Sequence, residues 1–271
     1  MSRHHDTVSF LSDYGLVDEF VGVVKSVVRT IAPHVTVVDV THEVPPHDVR
    51  AGGLALARSV QYLAPGVVLA VVDPGVGTAR RAVAVEVADG EAVFVGPDNG
   101  LLAAAVAMVG GATRAVELTN DDYHLPAPGP TFAGRDVFGP AAAHVCNGVD
   151  LAELGELLDP MTLLPGVLPV PRVEGGVLHA EVLWVDRYGN LQLNLSPEDV
   201  DPLGERVALR WRDQARTAVR AHAYGDLKPG EVGLVVDSYG MVSVALDRQS
   251  AAQLLRLGAG DAVSLAEPGS S

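Results

Sequence analysis

The stretch that most constrains the fold is residues 67–87, VVLAVVDPGVGTARRAVAVEV. An unbroken apolar run ends at Asp73, and a run of strand length with no polar face reads as a strand buried on both sides. Gly75 and Gly77 punctuate the turn that follows, Arg80 and Arg81 stand side by side, and residues 82–87 alternate. The reading is strand, tight loop, strand. The loop holds a carboxylate and a guanidinium at the mouth of a buried strand, where open α/β sheets place their ligands. Taken alone, it also reads as a surface turn with a solvated ion pair.

The rest of the first half repeats the strand-then-helix signal. Residues 7–11 read as a strand ending in Ser12-Asp13-Tyr14-Gly15, and residues 18–31 carry apolar positions at helical spacing until Pro33 stops them. Residues 35–40 read as a second strand ending near Asp39 and His42, followed by a turn and a helix that Pro65-Gly66 breaks. Residues 92–95 form another strand, which enters an Ala-rich helix through Gly96-Pro97-Asp98-Asn99-Gly100. A strand at 115–118 and a helix at 138–146 complete the series. Such alternation implies an α/β fold with a mainly parallel sheet flanked by helices. Near Asp159 the texture changes to a Pro- and Gly-rich stretch, and short segments at 178–185, 190–195, 207–211, 232–237 and 242–246 follow. These read as a small antiparallel, barrel-like all-β domain. The expected organisation is an α/β domain over residues 1–160, a linker over 161–176 and the β domain over 177–271.

Composition narrows the function. The 271 residues give ample material for a core, and 48% hydrophobic content with a mean hydropathy of +0.24 excludes a disordered chain. A net charge of −15 argues against nucleic-acid and anionic-membrane partners, which need clustered Lys and Arg. The single cysteine, Cys146, cannot form an internal disulfide and lies in an apolar helix, which fits a structural thiol in a reducing, cytoplasmic setting. No secretory h-region and no apolar stretch of membrane-spanning length is present. Several site motifs fail. Gly75-Val76-Gly77 lacks the third glycine of a dinucleotide site and precedes a strand; no phosphate loop or nucleophile elbow occurs; and the two prolines between His42 and His47 forbid a zinc helix. A metal-dependent hydrolase would have to assemble its ligands from Asp13, His42, His47 and Asp73 at strand ends.

What remains is a set of polar motifs in order: FLSDYG, THEVPPHD, DPGVGTARR, GPDNGLL and PTFAGRDVFGPAAAH, then VDRYGNLQLN and VDSYGMVSVAL. Together they resemble the S-adenosylmethionine hydroxide adenosyltransferase family, kin to the fluorinase and chlorinase, over nearly the whole chain. The resemblance implies a small nucleoside substrate, S-adenosylmethionine, with no cofactor and no metal. It places Asp13 at the ribose hydroxyls, Asp18 and Asp186 near the methionine amine, and Ser238 at the amino-acid end. Tyr188 and Asn190 fall at the adenine, with Phe132 packing around the nucleoside. It also implies a homotrimer whose sites lie between the α/β domain of one subunit and the β domain of its neighbour.

The sulfonium makes methionine a good leaving group, so in-line attack at C5′ needs a positioned nucleophile more than an acid. Hydrolytic members carry an Asp–Arg–His set around the attacking water. Asp73 and Arg80 fill the first two positions, but Ala133 stands where those members have histidine, in TFAGRD. Losing a general acid–base group costs on the order of 10²–10⁴ in rate, so the expectation is a weakened hydrolase that still binds ligand. The fluorinases have a tyrosine at position 73 and a serine at 134. Gly134 alone would admit chloride, as in the chlorinase, but the Asp73 carboxylate repels a halide in a water-poor pocket. The competing readings are a binding protein without turnover, a chlorinase-like relative and the metal-dependent hydrolase.

Overall fold

The computed structural model describes residues 4–269. The chain divides into two compact units, one ending at Val167 and the next beginning at Leu168. The stretch read as a linker is thus shared between them, and its last part forms a strand.

In the first unit, β1 (Thr7–Ser12), β2 (Thr36–Thr41), β3 (Gly66–Val71), β4 (Ala82–Val87), β5 (Ala92–Pro97), β6 (Ala112–Glu117) and β7 (Glu156–Leu158) form one sheet. Its order is β2-β1-β3-β5-β4-β6-β7. The first four strands of that order are parallel, β4 is antiparallel to both its neighbours, and β7 is antiparallel to β6. Four helices accompany the sheet: α1 (Phe20–Ile31), α2 (Val49–Ser59), α3 (Ala103–Met108) and α4 (Gly139–Cys146). Because side chains alternate along a strand, each strand feeds two cores. Phe10, Leu69 and Val95 pack with Val24 of α1 and Ala142 of α4, whereas Leu11, Ala70 and Phe94 pack with Leu56 of α2 and Val106 of α3. The result is three layers, with β3 buried along its whole length as its apolar run requires.

Chain order fixes where this sheet opens. β1 leads through α1 to β2 on one side, and β2 leads through α2 to β3 on the other side of β1. The order therefore reverses between β1 and β3, and their carboxyl ends flank the crevice in which open sheets bind ligands. Beyond β3 the chain leaves a gap that β5 fills, so the loop carrying Asp73 and Arg80 links strands that are not neighbours.

The second unit comprises β8 (Arg172–Glu174), β9 (Val177–Val185), β10 (Leu191–Leu193), β11 (Arg206–Trp211), β12 (Gln214–Ala221), β13 (Val232–Val236), β14 (Val242–Ala245) and β15 (Ala262–Ala266). Short helices α5 (Pro197–Val200) and α6 (Ala251–Leu255) complete it. Seven strands close in the order β10-β14-β13-β12-β11-β15-β9, because β9 pairs again with β10, and β8 extends β9. Closure leaves the barrel no long free edge. One pair, β12 with β13, is parallel, so the domain is not uniformly antiparallel. Val182, Leu191, Leu193, Leu209 and Val244 fill the barrel interior. Among the described residues no helix is long and apolar enough to cross a membrane.

Candidate active site

The first unit brings its site residues to the crevice between β1 and β3. Asp13 follows β1; its backbone N–H reaches the Val71 carbonyl at 3.4 Å, and its Oδ2 accepts the His47 backbone N–H at 2.8 Å. His47 holds a left-handed φ of 67°, a conformation that costs a non-glycine residue energy and persists where the surroundings fix it. Asp73 follows β3. Arg80 clamps its carboxylate from the far end of the loop: Nε lies 2.9 Å from both carboxylate oxygens and Nη2 lies 2.5 Å from Oδ2. Side-chain exposure is 5% for Asp73 and 16% for Arg80, so the pair is largely withdrawn from water. The Arg80 guanidinium also sits 5.0 Å over the Phe138 ring.

The loop between the two is held from inside. Val76 N–H bonds the Asp73 carbonyl, Thr78 N–H bonds the Gly75 carbonyl, and the Thr78 hydroxyl donates to the same carbonyl at 2.6 Å. The neighbouring pair, Arg81 with Asp98, anchors the loop's exit: Arg81 Nε donates to Asp98 Oδ2 at 2.9 Å, and Asp98 Oδ1 accepts Leu164 N–H. Asn99 braces the end of β3 by donating to the Val72 carbonyl at 2.9 Å. Adjacent arginines in the sequence thus serve two separate carboxylates.

Opposite this loop, Phe132, Ala133 and Gly134 enter a single π-helical turn, Gly134–Phe138, which runs straight into α4. Such turns recur at functional sites. Phe132 meets Phe20 edge-on at 5.0 Å and Tyr14 at 5.7 Å. Ala133 is the residue before the π turn and presents only a methyl group. Gly134 is buried, and a Cβ there would stand 2.2 Å from the Tyr14 hydroxyl, so no larger residue fits while that hydroxyl holds its place. Tyr14 was not singled out by its sequence, although it sits inside the FLSDYG motif. Burial pushes its phenol far above the ordinary range, Asp13 and Asp73 push it further, and the Gly134 N–H and Arg80 oppose the rise. Asp18 is exposed just ahead of α1.

Buried Ser12 and His42 run out to exposed Asp39 in a hydrogen-bonded chain beside Asp13. Ser12 Oγ lies 2.7 Å from His42 Nδ1, and His42 Nε2 lies 3.0 Å from Asp39 Oδ1. His42 is therefore engaged in bracing the ends of β1 and β2. Among the described residues no three His, Cys, Asp or Glu side chains converge to share a metal ion. Asp13, His42, His47 and Asp73 are accordingly not assembled as a ligand set.

In the second unit, Asp186, Tyr188, Asn190 and Ser238 line one cavity of about 250 Å³ together with Trp184 and Tyr224. It is framed by two turns of the same wiring. Asp186 Oδ1 accepts the N–H groups of Tyr188 and Asn190, both at 2.8 Å, and its Oδ2 accepts the Asn190 side-chain amide at 2.7 Å. Asp237 Oδ1 likewise accepts the N–H groups of Tyr239 and Met241, at 2.9 and 3.1 Å, while its Oδ2 takes Gln192 and Ser243. Gly189 and Gly240 close the two turns with φ of 84° and 78°. The turns flank the short β10–β14 pair, and Tyr188 is left 79% exposed. Tyr224 lines the same cavity as Asp186 and Asp237, and its phenol is raised by burial and then by those two carboxylates.

Sequence models of the SAM hydroxide adenosyltransferase N-terminal and C-terminal domains match residues 8–155 and 180–264. The chain belongs to this S-adenosylmethionine hydroxide adenosyltransferase family. An (R)-S-adenosyl-L-methionine hydrolase of Salinispora tropica is 47% identical over 254 residues, which is 94% of this chain and 95% of that protein. A fluorinase of an Actinoplanes species is 30% identical over 221 residues, covering 73% of this chain and 74% of the fluorinase. The crystal structure of an uncharacterized conserved protein from Thermotoga maritima superposes with a TM-score of 0.88 at 33% identity, over 96% of this chain and all of that one. The adenosyltransferase likeness thus spans both units, and the motifs that suggested it lie in both.

Proposed function

We propose that this chain hydrolyses S-adenosyl-L-methionine to adenosine and L-methionine, by in-line attack of water at C5′. The observation that carries the reading is the match of both family domains, with a named hydrolase at 47% identity along nearly the full length. Geometry supports water as the nucleophile. The Asp73 carboxylate, held by Arg80 at the β1–β3 crevice, can accept a water proton and repels a halide. Arg80 supplies positive charge where hydroxide character develops. In this reading Asp13 holds the ribose hydroxyls, Phe132 and Gly134 pack at the nucleoside and nucleophile, and Asp18 and Asp186 lie towards the methionine amine. Tyr188 stacks on adenine, Asn190 bonds to it, and Ser238 meets the amino-acid end.

The same proposal includes a cytoplasmic homotrimer, with each site completed by the barrel unit of a neighbouring subunit. In this reading the barrel cavity of about 250 Å³, smaller than the about 300 to 1,000 Å³ of ordinary ligand pockets, holds only part of the substrate. A second reading, binding without turnover, is favoured by Ala133, which presents no polar atom where hydrolytic members carry histidine. One experiment separates the two: incubation with S-adenosylmethionine followed by chromatography for adenosine, using the parent chain and Ala133→His. Adenosine from both, formed faster with histidine by on the order of 10²-fold, supports the hydrolase. Unchanged substrate in the presence of measurable binding supports the binding protein, and a halogenated nucleoside that appears only with added halide refutes water as the nucleophile.

A further inference from the structure

We propose that the Tyr14 hydroxyl is a catalytic group of this chain, the third polar partner of the attacking water beside Asp73 and Arg80. The inference rests on the hydrolase reading and on that placement of the water. Three observations carry it.

The first is the fixed position of the ring. Tyr14 directly follows Asp13 at the carboxyl end of β1, and Phe10, Phe20 and Phe132 surround it with ring centroids 6.5, 5.8 and 5.7 Å away. A ring held on three sides delivers its hydroxyl to one place. The second is what lies at that place. The hydroxyl reaches the first residue of the π turn, where a Cβ would stand 2.2 Å from the oxygen. Tyr14 leaves β1 directly after Asp13, whose N–H reaches the Val71 carbonyl two residues ahead of Asp73, so the ring stands at the strand ends that carry the groups already assigned to the ribose and the nucleophile. The third is the neighbouring side chain: Ala133, next to Gly134, carries no atom able to hold a water.

The chemistry follows from the protonation state. Burial and the two carboxylates keep the phenol un-ionised throughout the neutral range, so it moves no proton and works as a neutral hydroxyl. Such a group has one O–H donor and two acceptor lone pairs. One lone pair accepts one O–H of the water while Asp73 accepts the other, which leaves a water lone pair free for C5′. As the O–C5′ bond forms, the C5′–S bond breaks and its electron pair passes to the methionine sulfur. The excess proton goes to Asp73 and from there to solvent. Tyr14 orients the water in this scheme, which is the larger part of what a reaction with so good a leaving group needs.

Tyr14→Phe removes the hydroxyl and keeps the ring. The expected result is a fall in the turnover number for adenosine formation of about 10- to 100-fold, of the order seen when one positioned hydrogen-bonding group is lost. The dissociation constant for S-adenosylmethionine, measured by calorimetry, stays at the parent value, as does the thermal midpoint. Gly134→Ala supplies an independent arm, because its Cβ displaces the hydroxyl without deleting it. It should cost turnover in the parent and little more in Tyr14→Phe, since both changes remove the same contact. Parent-like turnover in Tyr14→Phe, or losses that simply multiply in the double variant, overturns the role of Tyr14 and leaves the hydrolase reading standing. No adenosine from the parent chain overturns the hydrolase reading and the tyrosine's role together.

Discussion

Two neighbouring arginines, each clamped to its own buried aspartate, allow structure and chemistry to be separated by a matched pair of substitutions. Asp73 and Asp98 have the same 5% side-chain exposure, and each accepts Nε and Nη2 of its arginine. Asparagine at either site removes the charge and turns an amide NH₂ towards guanidinium donors. Hydrogen bonds to charged groups contribute about 1.5–3 kcal/mol each, and breaking a buried pair costs about 3–5 kcal/mol. Arg80 is 16% exposed and keeps its place over Phe138, so water and the ring recover part of that loss. The expected cost of Asp73→Asn is about 2–4 kcal/mol of unfolding free energy. Arg81 is 28% exposed and also donates to the Thr162 carbonyl, so Asp98→Asn should cost somewhat less, about 1–3 kcal/mol. Urea unfolding measures both. The adenosine assay, run well below both midpoints, should separate them: Asp73→Asn loses turnover by at least about 10²-fold, while Asp98→Asn keeps the parent rate. If the two folded variants lose activity alike, the pair at Asp73 is only a brace for the loop, and its assignment to the nucleophile is wrong.

Three further outcomes follow from particular contacts. Gly189→Ala drives a Cβ to 2.0 Å from the Ser250 hydroxyl at a φ of 84°, so it should disturb both the Asp186 turn and the Ser250 cap of α6. Weaker S-adenosylmethionine binding by calorimetry, with the far-ultraviolet spectrum retained, is the expected result, and parent-like affinity would count against a ligand at that turn. Asp150 is held below the ordinary carboxylate range by its hydrogen bonds from Arg114 and from the Ala152 N–H, against some desolvation. A depressed carboxylate stabilises the fold above its unfolded-state value and loses that contribution as pH falls through its folded-state value. Thermal midpoints should therefore drop on acidification below about pH 4, less steeply in Asp150→Asn, and identical acid profiles would refute the assignment. Burial, followed by the charge of Asp6, pushes the Cys146 thiol up to about 12, so a thiol reagent at pH 8 should leave the folded chain unmodified and react on addition of urea.

The sequence made the first unit legible because its strands are long apolar runs that end in polar motifs. The run before Asp73 became a strand buried throughout, and the break between β3 and β4 fell where the glycines put it. What escaped notice had weak or misleading local signals. β12 begins with four exposed residues, Gln214 to Thr217, and so shows no alternation over that half. β7 and β8 have three residues each, too few for any period to register, and β8 lies inside a stretch whose prolines and glycines read as a linker. The π turn at Gly134 has no sequence signature; it arises where the chain bends from Phe132 into α4. Tyr14 was hidden for a similar reason. In its motif it looks like one more aromatic under a helix, and only the separation between its hydroxyl and the Gly134 position, set by packing across 120 residues of chain, makes it a polar group of the crevice.

The second unit carries a complementary lesson about acidic residues near a cationic ligand. The family resemblance puts the aspartate of VDRYGN near the methionine amine, and in the folded chain Asp186 accepts three hydrogen bonds from its own turn. Asp237 repeats the pattern in VDSYGM. In both turns the carboxylate lone pairs fix the backbone, so in the proposed reading either aspartate acts on an ammonium group across the cavity and not by direct contact. Beside these turns the cavity is lined by Tyr188, which is largely exposed, and by Tyr239, whose ring meets Trp184 edge-on at 6.4 Å. In the proposed reading the duplicated turn gives the barrel two roles from one short motif: acidic groups facing the sulfonium and ammonium charges, and aromatic rings facing the purine. Neither depends on Ala133, and for that reason substrate binding is expected to survive in this chain even where turnover is reduced.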